Sequence, residues 1–323
     1  MEDEPILREQ ELPHVLTLEY QYPRLQQMYK DQVAVFWVPE EINYMKDLES
    51  WEQMPAGVQE YIKQILTGFL ALDIIVGDNI MENFITRIKI PEAQNCFAFQ
   101  SAMERIHAEV YSRLLIMVTP NIEERKQRWA ACLYQPCIKR KVDWALSWAK
   151  NHCQDIGELL VAFASIETIF FASSFCGIFW LKQFGWMPNL VLSNEFIARD
   201  EGMHQRVSCE LYHYLTHKLP EERVHEIIKH TVQYECDFVD YSLSDNVVGL
   251  SRTDMHEYVR LCADVLAEML GYKRIYNAVC PFPFMVNLTL TIKQNFFEGP
   301  SSRYTKAPDM GSFAITEDNA LDF

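Results

Sequence analysis

The segment "ERIHAEVY", residues 104–111, places three side chains with useful chemistry on one stripe of a predicted helix. An α-helix turns by about 100° per residue, so Glu104 and His107 are neighbours, and so are His107 and Tyr111. A carboxylate and an imidazole at this spacing can bind a metal, with an oxidisable phenol one turn away. The alternative is a polar surface stripe with a tyrosine in the core, and this segment alone leaves both open.

Glu-x-x-His is weak evidence by itself, because the chain contains five copies. They are Glu11/His14, Glu104/His107, Glu201/His204, Glu210/His213 and Glu222/His225. Pro13 interrupts the first copy, and the last falls in a first helical turn, where acids favour the helix dipole and face water. The fourth lies nine residues after the third on the same helix, a net rotation of about half a turn, so it faces the opposite side. Two copies are therefore predicted to face inward, one on each of two long helices.

Two further carboxylates fall within apolar helical stripes. Asp73 lies in "ILTGFLALDIIVGDN", and Glu167 lies in "VAFASIETIFF". An isolated buried carboxylate costs several kcal/mol unless it is neutralised or paired. Pairing with a lysine or arginine is the ordinary solution, but neither acid has a basic neighbour on its own stripe.

Together, four long helices offer an acid, a Glu-x-x-His, a second acid and a second Glu-x-x-His. Dinuclear iron and manganese carboxylate bundles use this arrangement, and two divalent cations would balance four carboxylates. Oxygen ligands with a few imidazoles suit iron or manganese. The predicted metal ligands are Asp73, Glu104, His107, Glu167, Glu201 and His204.

Helical periodicity dominates the chain, and prolines lie at or near the gaps between periodic segments. Helices are predicted at 57–87, 91–118, 137–151, 155–184, 190–217, 220–244 and 252–273, with shorter ones at 20–30, 39–46 and 121–133. The prediction is an all-α bundle in a single domain, residues 21–298, between a flexible N-terminal segment, 1–20, and a flexible tail, 299–323.

Composition excludes several function classes. The 323 residues include 29 Lys+Arg against 45 Asp+Glu, a net charge of −16 that argues against nucleic-acid or anionic-membrane binding. Nine cysteines without CxxC pairs, and an acidic rather than signal-like N-terminus, predict a cytoplasmic protein. The apolar stretch 159–181 is long enough to span a bilayer. No second strong span accompanies it, so a central core helix is expected and no membrane association.

The chain resembles the small, radical-generating subunit of class I ribonucleotide reductase, of eukaryotic or large-virus type. The stretches that carry the resemblance are "FWVPEEINYMKD", "AMERIHAEVYS", "KRKVDWALSW", "FIARDEGMH", "FFEGPSSRY" and the terminal "LDF". The resemblance implies a ferritin-like bundle with two iron ions per chain, iron rather than manganese, held by the six predicted ligands. It also implies that Tyr111 is oxidised to a stable tyrosyl radical.

The resemblance assigns further residues singly. Trp37 and Asp200 match a buried pair that relays an electron and a proton towards His107. The apolar radical pocket is matched by Phe171, Phe175 and Ile197. Tyr304 matches a tail tyrosine that passes the radical to the large, catalytic subunit.

The partners expected are that large subunit and a second copy of the chain, as a homodimer. The "NALDF" end is expected to dock through Leu321 and Phe323. The chain itself is expected to bind no nucleotide, because it lacks a glycine-rich phosphate loop.

Three alternatives remain at this point. Another di-iron oxidase or hydroxylase would need a substrate channel and would not use Tyr111. A catalytically inactive scaffold subunit should lack metal ligands, whereas all six candidates are present. The manganese-iron variant of the family typically has Phe at the radical position.

Overall fold

Helices form the regular structure of the chain. The computed structural model describes residues 4–8, 19–79, 84–150, 155–244, 247 and 249–285, and every regular element assigned there is helical. The α-helices are α1 (Pro23–Ala34), α2 (Leu48–Gln53), α3 (Ala56–Asn79), α4 (Ile85–Arg87), α5 (Pro91–Val118), α6 (Ile122–Tyr134), α7 (Pro136–Lys150), α8 (Ile156–Ser165), α9 (Ala172–Trp180), α10 (Pro188–Tyr214), α11 (Glu221–Ser242) and α12 (Arg252–Met269). The predicted all-α bundle is confirmed.

Local sequence signals explain where many helices begin. Proline opens α1, α5 and α10, where a missing N–H is harmless. Asn121, Asp155 and Ser251 cap α6, α8 and α12 by accepting hydrogen bonds from first-turn N–H groups. Helix α12 ends at Met269, four residues before the predicted end at 273. Gly271, with a φ of +88°, turns the chain out of the helix there.

The predicted continuous α-helix over 155–184 is wrong in detail. A π-turn over Ile166–Phe170 separates α8 from α9, and a 3₁₀ turn, Leu181–Phe184, follows α9. A π-turn inserts one extra residue into the helical path and often occurs at functional sites. Hydrophobic periodicity did not reveal it, because this segment is apolar on every face and the hydrogen bonds that hold it come from distant helices.

Two other predicted boundaries also differ. The predicted helix 39–46 consists instead of two 3₁₀ turns, Pro39–Glu41 and Tyr44–Asp47. The predicted helix 190–217 ends early at Tyr214, because Lys218 Nζ donates to the carbonyls of Tyr212, His213 and Leu215 and closes that end. The predicted helix 57–87 includes positions 80–83, which lie outside the described residues.

The most apolar segment of the chain lies in the core. Ile156–Phe184 is long and apolar enough to cross a membrane, but 94% of its apolar window is buried inside the structure. It packs with α3, α7, α10, α11 and α12 around a core that includes Phe97, Phe163 and Phe179. Burial inside the bundle therefore accounts for its apolar composition.

Helix α10 is fixed at its start by a carboxylate from another element. Asp47 is buried and accepts hydrogen bonds from the backbone N–H groups of Asn189, at 3.0 Å, and Leu190, at 2.7 Å. These first-turn N–H groups have no partner inside their own helix, and the helix dipole favours an anion there. Asp47 thereby sets the position of a helix that carries several site residues.

Candidate metal centre

The six predicted ligands come together in the middle of the bundle. Helix α3 supplies Asp73, α5 supplies Glu104 and His107, the π-turn supplies Glu167, and α10 supplies Glu201 and His204. All six are buried, with exposed fractions of 3% or less. Whether each one binds metal remains a prediction, but their convergence from four segments is a property of the structure.

Four of the six predicted ligands lie close enough together to share an ion. Glu104, Glu167, Glu201 and His204 each offer one atom, and these atoms all lie within 4.8 Å of one another. His204 Nδ1 is 3.1 Å from an oxygen of Glu104 and 3.1 Å from an oxygen of Glu201. His107 Nδ1 lies 3.1 Å from Glu201 and 3.6 Å from Glu104. Each imidazole therefore faces carboxylates from both Glu-x-x-His helices.

The pKa values of the cluster show the cost of burying these groups side by side. Burial, followed by repulsion from neighbouring carboxylates, raises the pKa values of Asp73 and Glu167 well above their ordinary range. Burial opposes charge on His204 too, but the adjacent carboxylates of Glu104 and Glu201 raise its pKa to about 9. At Glu201 the adjacent imidazoles of His107 and His204 outweigh burial, so its pKa is lowered.

Orphaned ligand atoms fit a metal. Asp73 Oδ2, both oxygens of Glu104, Glu167 Oε2 and His107 Nδ1 are buried without a partner in hydrogen-bond geometry. Buried polar atoms in that state are costly, and cations are the partners that carboxylates and imidazoles share. Four carboxylates with two imidazoles suit a dinuclear iron or manganese centre, and this donor set fits the residues present.

A side chain that the sequence did not mark as part of the site orients one predicted ligand. Gln100 is fully buried on α5, and its Nε2 donates to Glu167 Oε1 at 2.8 Å. It lies one turn before Glu104 on the same stripe, and that spacing was the available signal. Gln100 holds the carboxylate of the π-turn in one rotamer.

The predicted relay residues form a continuous hydrogen-bonded line. Trp37 Nε1 donates to Asp200 Oδ2 at 2.8 Å, and His107 Nε2 lies 3.1 Å from the same oxygen. All three side chains are essentially buried, and the rings of Trp37 and His107 are nearly parallel, with centroids 6.2 Å apart. Burial opposes charge on His107, but its hydrogen bond to Asp200 and the adjacent carboxylates of Glu104 and Glu201 raise its pKa well above the usual value.

Tyr111 lies in an aromatic pocket. The phenol is fully buried, and its hydroxyl donates to Asn194 Oδ1 at 2.9 Å. Burial and then the carboxyls of Asp73, Glu201 and Glu104 raise its pKa well above the usual value. The ring stacks on Phe69 with centroids 4.4 Å apart and a 7° angle between planes.

Two of the predicted pocket residues reach Tyr111 through Phe69. The rings of Phe171 and Phe175 lie 5.5 Å and 5.0 Å from the Phe69 ring. Ile197, the third predicted pocket residue, is buried on α10. Phe69 and Asn194 were missed as site residues. Phe69 lies one turn before Asp73, and Asn194 lies two turns before Glu201 on the inward face of α10.

The copies of Glu-x-x-His that were set aside have other partners. His213 Nε2 bonds the carbonyl of Met269 at 2.9 Å, and Glu210 pairs with Arg24 at 2.9 Å. His225 Nε2 bonds the carbonyl of Lys273 at 3.0 Å. The sorting by helix face therefore holds for these copies. The first copy, Glu11/His14, and the predicted tail residues Tyr304, Leu321 and Phe323 lie outside the described residues.

A small cavity adjoins the centre. Glu167 and Glu201 line it together with Thr168, Gln205, Tyr258 and Cys262, and it has about 60 Å³ of internal space. That is room for a few water-sized molecules. The space beside these two carboxylates is therefore the size of a small molecule.

Fold and site together define a helical bundle with a candidate dinuclear carboxylate centre. Within that class the chain belongs to the ribonucleotide reductase small chains, because the family model "Ribonucleotide reductase, small chain" matches residues 15–281. It is 40% identical to ribonucleoside-diphosphate reductase subunit M2 of Homo sapiens over an alignment of 323 residues. The alignment covers 98% of this chain and 83% of that protein.

Other relatives agree. The small chain of ribonucleoside-diphosphate reductase from Nicotiana tabacum is 41% identical, covering 90% of this chain and 88% of that protein. Among solved structures, the ribonucleotide reductase Rnr4 homodimer from Saccharomyces cerevisiae superposes with a TM-score of 0.79 at 28% identity, covering 91% of this chain and 93% of that one. The expected ferritin-like architecture is thereby confirmed.

Proposed function

We propose that this chain is the radical-generating small subunit of a ribonucleoside-diphosphate reductase. The observation that carries the proposal is the placement of a fully buried, oxidisable Tyr111 beside a buried cluster of carboxylates and imidazoles. Asp73, Glu104, His107, Glu167, Glu201 and His204 would hold two iron ions. Those ions would supply the electrons for dioxygen reduction and the oxidising power that Tyr111 requires.

The chain's own residues prepare Tyr111 for one-electron oxidation. The phenol loses one electron and its hydroxyl proton, leaving a neutral radical. Stacking on Phe69, with Phe171 and Phe175 behind it, keeps water and reductants away from the ring. Gln100 keeps the Glu167 carboxylate directed into the cluster.

The line from Trp37 through Asp200 to His107 supports a route for the radical out of the bundle. Asp200 Oδ2 accepts from the Trp37 indole and faces His107 Nε2, so one carboxylate couples both rings. Electron transfer between Trp37 and the centre can therefore be accompanied by a proton shift along these hydrogen bonds. In this proposal Tyr304 continues the route to the large subunit, where ribonucleoside diphosphates are reduced to deoxyribonucleotides.

Assembly and location complete the proposal. A homodimer is supported by the yeast relative, which is described as a homodimer. The domain division is a helical domain, 21–298, with an N-terminal segment, 1–20, and a docking tail, 299–323. A cytoplasmic location is supported by free thiols at all eight described cysteines, since reducing compartments preserve thiols.

A hydroxylase and an inactive scaffold fit the site less well. The cavity beside the carboxylates is small, and a hydroxylase has no need for a phenol buried against Phe69. A scaffold subunit has no need for six buried acid and imidazole side chains, four of which carry orphaned polar atoms.

The test uses the full-length chain loaded with ferrous iron in air and titrated with its large subunit. Deoxyribonucleotide should form only when both subunits and iron are present. Deleting Ala320–Phe323 should weaken subunit binding while leaving the iron content unchanged, since Leu321 and Phe323 are the proposed anchors. Absence of turnover from the iron-loaded pair would contradict the proposed function, and unchanged subunit affinity after the deletion would contradict the role of the tail.

A further inference from the structure

A buried ion pair lies outside the metal centre and is not used by the reaction described above. Lys141 on α7 and Glu235 on α11 join at 2.5 Å between Nζ and Oε2, with side chains 3% and 0% exposed. Most other Lys or Arg ion pairs in the described chain are on the surface, such as Arg223–Glu158, with side chains 36% and 22% exposed. Burying two charges is expensive unless their remaining hydrogen-bonding capacity is used.

The remaining hydrogen bonds of the pair all go to one short segment, residues 170–173. Lys141 Nζ donates to the carbonyl oxygen of Phe170 at 3.0 Å. Glu235 Oε1 accepts from the backbone N–H of Ser173 at 3.2 Å and from the Ser173 hydroxyl. The ammonium also lies over the rings of Phe170 and Phe238, 4.8 Å and 4.6 Å from their centroids.

This stretch is the point where the π-turn returns to α-helix. Phe170 is the last residue of the π-turn, and Ser173 lies in the first turn of α9. In an uninterrupted α-helix the N–H of Ser173 would bond the carbonyl four residues earlier, whereas here Glu235 accepts it. The ion pair thus supplies partners where the helical ladder changes register.

The register of the π-turn decides where Glu167 points. Removing the one-residue insertion would rotate the residues on one side of it by about 100° relative to those on the other. Glu167 would then lose its place beside Glu104 and Glu201, or Phe171 and Phe175 would leave Phe69. The inserted residue therefore allows Glu167 to lie in the carboxylate cluster while Phe171 and Phe175 pack against Phe69.

We propose that the Lys141–Glu235 pair is a positioning device that holds the π-turn in register and thereby places the Glu167 carboxylate for metal binding. Neither side chain touches the cluster, so the effect acts through the backbone of 170–173. That the placement of Glu167 serves metal binding rests on the proposed function. That the ion pair holds the π-turn in register does not.

The decisive variant replaces both charges, Lys141→Met with Glu235→Leu. Removing one partner leaves an unpaired buried charge, but replacing both by apolar residues of similar volume is often tolerated by the fold. Native-state hydrogen exchange of segment 166–174 should become at least about tenfold faster, while α5 and α10 keep their protection. Anaerobic titration with Mn(II) should show affinity for the second ion reduced by about 10- to 100-fold. The matched control is Arg223→Met with Glu158→Gln, which removes the surface pair between α11 and α8 and should change neither reading.

A milder pair of variants covers the case in which the double replacement does not fold. Ser173→Ala removes only the hydroxyl that donates a hydrogen bond to Glu235. Ser174→Ala is the control, because it removes a neighbouring hydroxyl that does not donate to Glu235. Exchange in 166–174 and the affinity for the second Mn(II) should change by a few-fold in Ser173→Ala and not in Ser174→Ala. Equal behaviour of these two variants, or wild-type exchange and metal binding in a folded double variant, would overturn the proposal.

The readings separate this inference from the proposed function. A wild-type chain that binds two metal ions but forms no tyrosyl radical contradicts the proposed function and leaves the positioning role intact. A wild-type chain that binds no divalent metal contradicts the proposed function and the placement of Glu167 for metal binding, whereas hydrogen exchange in 166–174 still tests whether the ion pair holds the backbone.

Discussion

The hydroxyl of Tyr111 donates to Oδ1 of Asn194, and the direction of this bond is set by the rest of the asparagine amide. Asn194 Nδ2 donates to the carbonyl of Leu190 at 2.9 Å, so the amide cannot turn round without losing that bond. The reduced phenol therefore has an acceptor. The neutral radical, having lost its proton, would face an oxygen lone pair instead of an N–H donor. Asn194 stabilises the reduced form of Tyr111.

The first prediction is a coupling energy between these two residues. Asn194→Leu should lower the free energy of unfolding by about 1–3 kcal/mol, because the buried phenol loses its acceptor. Tyr111→Phe should cost a similar amount by leaving Oδ1 unpaired. The double variant should lose less than the sum of the two, as measured by urea unfolding in a double-mutant cycle. Strict additivity would mean that this hydrogen bond contributes nothing.

The second prediction concerns the carboxylate of the π-turn. Glu167→Ala should weaken binding of the second metal ion by at least about tenfold, because a buried ligand and its charge are removed. His213→Ala, which loses only a bond to the Met269 carbonyl, should retain two metal ions. Elemental analysis of the iron-loaded proteins measures both. Two irons per chain in both variants would show that the helix-face sorting misidentified the site.

The third prediction is a pH dependence of the metal-free protein. His204 has its pKa raised from about 6.5 to about 9 by Glu104 and Glu201. A folded pKa above the unfolded one stabilises the fold fully below about pH 6.5, and that stabilisation is lost as the pH rises towards about 9. The raised pKa values of Asp73 and Glu167 act in the same direction. The lowered pKa of Glu201 acts only at acid pH.

The melting temperature of the metal-free protein should therefore fall across that window. The Mn(II)-saturated protein should fall less, because metal binds the deprotonated ligands and binds more tightly as protons leave. His204→Gln should flatten the slope of the metal-free protein. A melting temperature that is constant with pH in the metal-free wild type would contradict the arrangement of charges in the centre.

The fourth prediction concerns the relay. Trp37→Phe removes the indole N–H that donates to Asp200, so turnover with the large subunit should fall on the order of 10²-fold or more, while the radical at Tyr111 still forms. Phe196→Leu is the control, since that ring packs edge-on against Trp37 at 5.3 Å without taking part in the hydrogen bonds. Turnover near the wild-type rate in Trp37→Phe would exclude this line as the radical route.

The parts of the site that were predictable from sequence are those encoded within single helices. The i, i+3 spacing of Glu104 with His107 and of Glu201 with His204, and the lone acids Asp73 and Glu167 in apolar stripes, identified four helices that must face one another. These local patterns show the helical periodicity, and they also show carboxylates that would be buried without a basic partner. The helical architecture and the carboxylate cluster could therefore be predicted from them.

The parts that were not predictable depend on contacts between distant elements. The π-turn is held by Lys141 and Glu235, which are 94 positions apart in the chain. In the sequence, Asn194 is an ordinary polar residue of a helix. Only the structure shows its hydrogen bond to Tyr111, which is 83 positions away. Neither periodicity nor composition records which side chain on one helix meets the backbone of another.

The central claim is that Tyr111 carries the radical, and an electron paramagnetic resonance spectrum of the iron-loaded, air-oxidised chain tests it most directly. Wild-type protein should give a tyrosyl signal that narrows when the chain is made with ring-deuterated tyrosine. Tyr111→Phe should bind two irons and consume dioxygen, since the phenol is not a ligand, yet give no stable tyrosyl signal. A persistent tyrosyl signal in Tyr111→Phe, or no radical in iron-loaded wild type, would contradict the account.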